Sequence, residues 1–256
     1  MRRQLWLLVV TVVLVFLAFF GTLFGSSRPQ LGLDLQGGIS VVLFPVKGSD
    51  LSTLNTAVQI ITARASTEAA GEGITGNLVT QIINSSNQTI TRASVSYPAT
   101  LNNYNSSSLQ GINALKTQLT AAVQNCPNQK IVLAGYSQGA HVVLDVLGGG
   151  QGGSLGTATP PIDPSISSHV TAIATFGDPR HVTNQAFDLG TSTRNGRFPR
   201  SATQLQVLSG FASRIAAWCD ANDTFCASGA STQVHLTYLN RYQNAAASFV
   251  LGKIGG

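Results

Sequence analysis

Lys130-Ile131-Val132-Leu133-Ala134-Gly135-Tyr136-Ser137-Gln138-Gly139-Ala140-His141-Val142-Val143-Leu144-Asp145-Val146-Leu147 joins two apolar segments through a Gly-x-Ser-x-Gly pentapeptide. The first segment, Lys130–Gly135, has the length and continuous apolar character of a strand buried on both faces. The second, Gln138–Leu147, is long enough for a helix. Between a strand and a helix, this pentapeptide describes a sharp turn that exposes a serine hydroxyl. Glycines two positions to either side let strand and helix approach closely. The helix N-terminus leaves backbone N–H groups unpaired, notably that of Gln138, where an oxyanion would form. Ser137 is therefore the expected nucleophile and Gln138 an expected oxyanion donor.

Strands and helices alternate outward from this point. Val58–Ala63, Ala93–Tyr97 and Val170–Phe176 read as strands. A turn over Ser66–Gly73 leads to a helix near Ile74–Ile83. Ser108–Gln124 places Leu109, Ile112, Leu115, Leu119 and Val123 at helical spacing. Thr203–Ala217 is helical or partly strand, and Leu236–Ile254 is a closing helix. Gly148–Ser168, rich in Gly, Pro and Ser, is a loop that could shape a site entrance. Such alternation predicts an α/β fold, a three-layer sandwich of α/β-hydrolase type with a central parallel sheet.

A serine needs a base to become nucleophilic. The chain offers His141, His169, His181 and His235. His141 lies four residues after Ser137 on the same helix and reads as a packing residue. In this fold class the order is nucleophile, acid, histidine. That order selects His235, which follows every candidate acid. For the acid, Asp178, Asp188, Asp220 and Asp223 remain open. Asp178 ends a strand, while Asp223 lies between Cys219 and Cys226, where a disulfide would stiffen its loop.

The 256 residues are 43% hydrophobic but only 10% charged, which suits a secreted or membrane protein better than a cytosolic one. The net charge of +5 comes from scattered residues without a basic stripe, so nucleic-acid binding is not expected. The three cysteines form no zinc-type spacing. No metal site and no cofactor are expected.

Leu5–Phe24 is an apolar run long enough to span a bilayer and follows Arg2 and Arg3. It reads as an anchor that leaves the remainder outside, or else as a cleaved signal segment. Leu31-Gly32-Leu33-Asp34-Leu35-Gln36-Gly37-Gly38, just after it, resembles the start of SecD, a membrane subunit of the bacterial protein-export machinery. The expected organisation is a membrane or signal segment over 1–27, a SecD-like stalk over 28–57, and an esterase domain over 58–256.

That last domain resembles the cutinase and acetylxylan esterase family of secreted serine esterases. The likeness rests on Ala63-Arg64-Ala65-Ser66-Thr67-Glu68, Tyr97-Pro98-Ala99, Cys126-Pro127, Gly135–Gly139, Gly177-Asp178-Pro179 and the Cys219…Asp223…Cys226…His235 run. It implies a cutinase-like fold with Asp223 as acid, His235 as base and Asp178 as structural. It also implies a Cys219–Cys226 disulfide and a second oxyanion donor at Ser66, with Thr67 as fallback. Family members carry an early cysteine that bridges to the one in Cys126-Pro127. None precedes Cys126 here, so a free thiol is expected. The implied substrate is a polyester or an acetylated polysaccharide, and the chain is expected to act as a monomer, secreted or tethered to a membrane by its N-terminal helix. The competing reading is an accessory protein of the export apparatus with an inert esterase-like domain.

Overall fold

The computed structural model describes residues 57–255. The apolar run Leu5–Phe24 and the SecD-like segment lie outside the described residues. Six strands form one sheet in the order β2-β1-β3-β4-β6-β5. They are β1 (Val58–Ala63), β2 (Ile90–Ser94), β3 (Lys130–Tyr136), β4 (Val170–Phe176), β5 (Asp188–Leu189) and β6 (Ile215–Trp218). Every pairing is parallel. Five helices of two turns or more cover the sheet: α1 (Gly76–Ser85), α2 (Tyr104–Asn125), α3 (Gln138–Gly148), α4 (Ala202–Ser209) and α5 (Tyr238–Ile254).

Parallel strands must be covered on both faces, and two apolar layers do this. On one face, Ile61, Ile131 and Leu133 pack with Ile112, Leu115 and Leu119 of α2, with α3, and with Leu208 of α4. On the other, Val58, Ile60, Val132 and Phe176 meet Leu78, Val79 and Ile82 of α1 and the buried side of α5. The expected three-layer α/β sandwich is thus observed. Among the described residues, no helix is long and apolar enough to cross a membrane.

The chain leaves β1 for the outer strand β2, then returns past β1 to β3. The carboxyl ends of β1 and β3 therefore flank a topological switch point, where crossovers diverge and open a crevice. The Ser66 turn follows β1 and Ser137 follows β3.

Helix α3 is buried at every residue from Gln138 to Gly148, which explains an apolar character that shows no polar face. Its first turn lies directly on the end of β1. A Cβ on Gly139 would stand 1.9 Å from the carbonyl oxygen of Ala63, and one on Gly135 would stand 2.5 Å from that of Gly139. Neither obstacle is a side chain that can rotate away.

Several boundaries differ from expectation. The second strand is Ile90–Ser94 rather than Ala93–Tyr97. After Val95 N–H donates to Thr62 O, the Arg64 guanidinium takes the carbonyls of Val95 and Tyr97, and Tyr97 Oη donates back to Arg64 O, so the chain leaves the ladder here. Helix α2 begins at Tyr104, four residues early, after Asn103 in a left-handed conformation. The closing helix starts at Tyr238, two residues later than expected, and a separate single turn, Thr232–His235, precedes it. Ser201 and Gln204 form a capping box that starts α4, which ends well before β6. The Gly148–Ser168 stretch runs beside the C-terminal end of α3. It is tied to the body by the Gly150–Thr159 bridge and by Gln151, whose amide N–H donates to Asp145 and whose side chain donates to Ser108.

Gly139→Ala is expected to destabilise the protein by about 3 kcal/mol or more, because backbone must move to admit the methyl group. A chemical-denaturation midpoint within error of the parent would contradict this packing.

Candidate active site

Ser137 sits between β3 and α3 with φ 54° and ψ −118°. A side chain in this region carries about 1–3 kcal/mol of backbone strain. The turn is held by Ser137 N–H donating to Phe176 O at 2.8 Å and by His141 N–H donating to Ser137 O at 3.1 Å. Its hydroxyl lies 2.9 Å from His235 Nε2. His235 Nδ1 lies 2.8 Å from Asp223 Oδ2. The three side chains, from the ends of β3, the turn before α5 and the loop after β6, form one continuous hydrogen-bonded relay.

Each outer member is fixed by its own neighbours. Asp223 is fully buried. Its Oδ1 accepts from Phe225 N–H at 2.6 Å and Cys226 N–H at 2.9 Å, and its Oδ2 also accepts from Tyr238 Oη at 2.9 Å. Burial alone would raise the carboxyl, but the His235 hydrogen bond and charge, with the two backbone donors, outweigh it and hold the carboxyl below its ordinary value. Burial, then the Asp223 charge, push the Tyr238 phenol far up, so Tyr238 stays protonated as a donor. The disulfide Cys219–Cys226 brackets the Asp223 loop. Closing so short a loop contributes about 2.5 kcal/mol in the chain-entropy treatment. Tyr136 Oη donates to His235 O, and the Phe225 ring lies 4.5 Å from the imidazole.

Two donor groups are available at the switch point. Gln138 is the first residue of α3, so its N–H has no intrahelical acceptor. Ser66 Oγ is buried and has no hydrogen-bond partner among the described residues. The Ser66 turn is well anchored. Glu68 accepts from Ala65 N–H at 2.6 Å and Ile74 N–H at 2.7 Å, and Arg64 Nε donates to Glu68 O. Thr67 takes a φ of 70° and donates its N–H to Ala99 O at 2.7 Å.

The remaining candidates are engaged elsewhere. Asp178 pairs with Arg200 and accepts from Arg180 N–H. Asp220 accepts from Thr191, Arg241 and Tyr242. His141 is indeed internal, 3.0 Å from both Asp145 and Tyr104 Oη. Asp145, on the same helix, also receives Arg180 and Arg200. Burial opposes its charge, but His141 and the two arginines more than reverse that, holding its carboxyl well below the usual range. Cys126 is a free thiol at the end of α2. Among the described residues, no cluster of acidic, His or Cys side chains could hold a metal ion.

A serine hydroxyl bonded to an imidazole, with a buried carboxylate on the far nitrogen, can attack a carbonyl without a metal or cofactor. Set at the switch point of a parallel sheet, it defines a serine hydrolase of the α/β-hydrolase type. The chain matches the cutinase family over residues 55–254 and belongs to that family. Cutinase 11 of Verticillium dahliae is 34% identical over 207 residues, covering 77% of this chain and 69% of that protein. Acetylxylan esterase 2 of Talaromyces purpureogenus is 29% identical over 231 residues, covering 85% of this chain and 95% of that protein. The catalytic core domain of acetyl xylan esterase from Trichoderma reesei is a structural neighbour with TM-score 0.72 and 30% identity, covering 77% of this chain and 98% of that one. The protein is a carboxylic ester hydrolase of cutinase type.

Sequence reasoning missed the supports of the relay. Tyr136 and Tyr238 had no motif to mark them beyond their places beside Ser137 and after His235. Arg64 and Glu68 stood in a recognised stretch without an assigned role. Asp188, one of the open acids, instead faces His181 Nδ1 at 3.6 Å in a half-buried site. Burial pushes its carboxyl up to about 6, against the lowering effect of Gln185 N–H. The folded state therefore favours the protonated form. The stability linked to this group is full below pH 3.8 and is lost as pH rises through about 6. Asp188→Asn removes the ionisation, so its thermal midpoint relative to the parent should climb between pH 4 and pH 6 and then level off. A difference that is constant across that range would contradict the linkage.

Proposed function

We propose that Ser137, His235 and Asp223 hydrolyse carboxylic esters through an acyl-enzyme. His235 Nε2 takes the proton of Ser137 Oγ as that oxygen attacks the carbonyl carbon. Asp223 orients the ring and stabilises the imidazolium. Gln138 N–H and the Ser66 hydroxyl donate to the oxyanion. The tetrahedral adduct collapses, the imidazolium returns its proton to the departing alcohol, and an acyl-Ser137 ester remains. Water, deprotonated by the same imidazole, attacks this ester and releases the acid. The observation that carries the reading is the 2.9 Å and 2.8 Å relay through His235.

Acetylated polysaccharide is the favoured substrate. Support comes from the acetylxylan esterases, one matched over 95% of its length and one with TM-score 0.72 over 98% of its structure. Aliphatic polyester is the second reading. Leu101 and Leu236, each 57% exposed, lie on the segments that flank the site and would suit an apolar surface. The export-accessory reading is disfavoured, because an inert domain has no need of an intact relay. Residues 1–27 are assigned as an anchor or signal segment, 28–57 as a stalk and 58–256 as the esterase domain, which places the esterase outside the membrane. This assignment rests on the apolar run and its flanking arginines.

Ser137→Ala should abolish covalent labelling by a serine-directed phosphonate, and persistent labelling would sink the assignment. Asp223→Asn should lower kcat by about 10⁴-fold, as loss of the orienting carboxylate does in such triads. Asp178→Asn should act far less on kcat, and the reverse ranking would transfer the acid role to Asp178. Initial rates should fall from p-nitrophenyl acetate through butyrate to longer esters, and acetate should be released from acetylated xylan. Preference for long chains together with release of polyester monomers would support the second reading instead.

A further inference from the structure

An open cleft of about 410 Å³ is lined by Arg197, Phe198 and Ser228. Phe225 connects it to the relay, because the ring that packs on His235 at 4.5 Å also carries the Arg197 guanidinium at 5.5 Å. In the reaction above, the imidazolium hands its proton to the departing oxygen. The alcohol half of the substrate therefore leaves on the imidazole side, away from the oxyanion donors at Ser66 and Gln138. Arg197, on the rim of the cleft, stands one aromatic ring beyond that imidazole.

Arg197 is held in place but not neutralised. Its N–H donates to Phe225 O at 3.0 Å and its Nε donates to Thr224 O at 2.9 Å. The neighbouring chain is pinned as well: Phe198 N–H donates to Pro179 O, Gly196 N–H to His181 O, and Ser228 Oγ to Asn195 O. Arg200 spends its terminal nitrogens on buried carboxylates, and Arg180 spends one on Asp145 and the other on the Gln204 amide oxygen. By contrast, Arg197 has no carboxylate within ion-pair distance among the described residues, and its two terminal nitrogens have no acceptor there. A fixed guanidinium whose Nη1/Nη2 edge is free is matched to a carboxylate. The pinned backbone lowers the ordering cost of binding one.

We propose that this cleft is a subsite for an anionic group on the alcohol half of the ester, with Arg197 as the residue that selects it. The substrate class is an acetylated saccharide that bears a uronate near the acetylated sugar. Arg197 pairs with the carboxylate, and Phe198 offers a face on which a sugar ring can rest. The proposal rests on the esterase reading of Ser137 and His235.

The test compares para-acetoxybenzoate with its neutral methyl ester. Both deliver the same acetyl group to Ser137, and they differ in the charge of the leaving half. Arg197→Gln should lower the ratio of kcat/KM for the anionic ester over the neutral one by about tenfold, the loss expected for one charge-assisted pair at a partly open site. Arg197→Lys should recover part of that ratio, and added salt should erode it in the unaltered protein. Carboxyl reduction of an acetylated, uronate-bearing xylan should slow deacetylation by the unaltered protein more than by the Gln variant. A ratio that is the same in all three proteins would overturn the subsite. Failure of the unaltered protein to hydrolyse the neutral methyl ester would instead count against the esterase reading itself.

Discussion

The first turn of the buried helix α3 rests directly on the end of β1, with Gly139 against the Ala63 carbonyl. Most of the site follows from that contact. It forces the sharp turn at Ser137 and hence its unusual backbone angles. It brings the Ser66 turn, three residues after Ala63, beside the open N-terminus of α3. It also leaves no room for side chains where the two segments cross, so both flanking positions are glycine. The strain at Ser137 persists because the surrounding parallel sheet and two apolar layers over-determine the turn.

A helix that is enclosed on all sides cannot carry polar groups without partners. Helix α3 nevertheless carries His141 and Asp145. Their partners come from distant segments: Tyr104 at the start of α2, Arg180 after β4, and Arg200 before α4. Arg200 also holds Asp178, so the network ties the turn after β4 to the helix behind the nucleophile. Replacing one partner would leave a buried charge unpaired, so the group stands or falls together.

What could be read from the chain alone was what depends on neighbours in sequence. The strand–Gly-x-Ser-x-Gly–helix pattern marked Ser137, and chain order marked His235. The acid did not follow from either rule. Asp178, Asp188, Asp220 and Asp223 each sit near a strand end or a loop; the flanking cysteines spoke for Asp223, and the family likeness chose it. Tertiary contacts separate them: each of the other three answers an arginine, a histidine or a hydroxyl. The end of β2 was misplaced for a similar reason. Val95 and Tyr97 look like strand residues, but Arg64, more than thirty residues earlier, draws off their carbonyls. The single turn Thr232–His235 before α5 was not anticipated, because four mostly polar residues carry no periodic signal. It exists because His235 must turn towards Ser137, while Tyr238 begins the next helix beneath it.

The relay joins residues 98 positions apart in the chain, through a turn that lies just before the final helix. A parallel sheet completes such contacts late, after long loops have closed. During synthesis the nucleophile emerges about a hundred residues ahead of its base. Until His235 has emerged and docked, Ser137 is an ordinary alcohol. Arming of the nucleophile is thus a reporter on docking of the final helix: a product truncated before His235 lacks both the imidazole that makes Ser137 reactive and α5, which covers one face of the sheet.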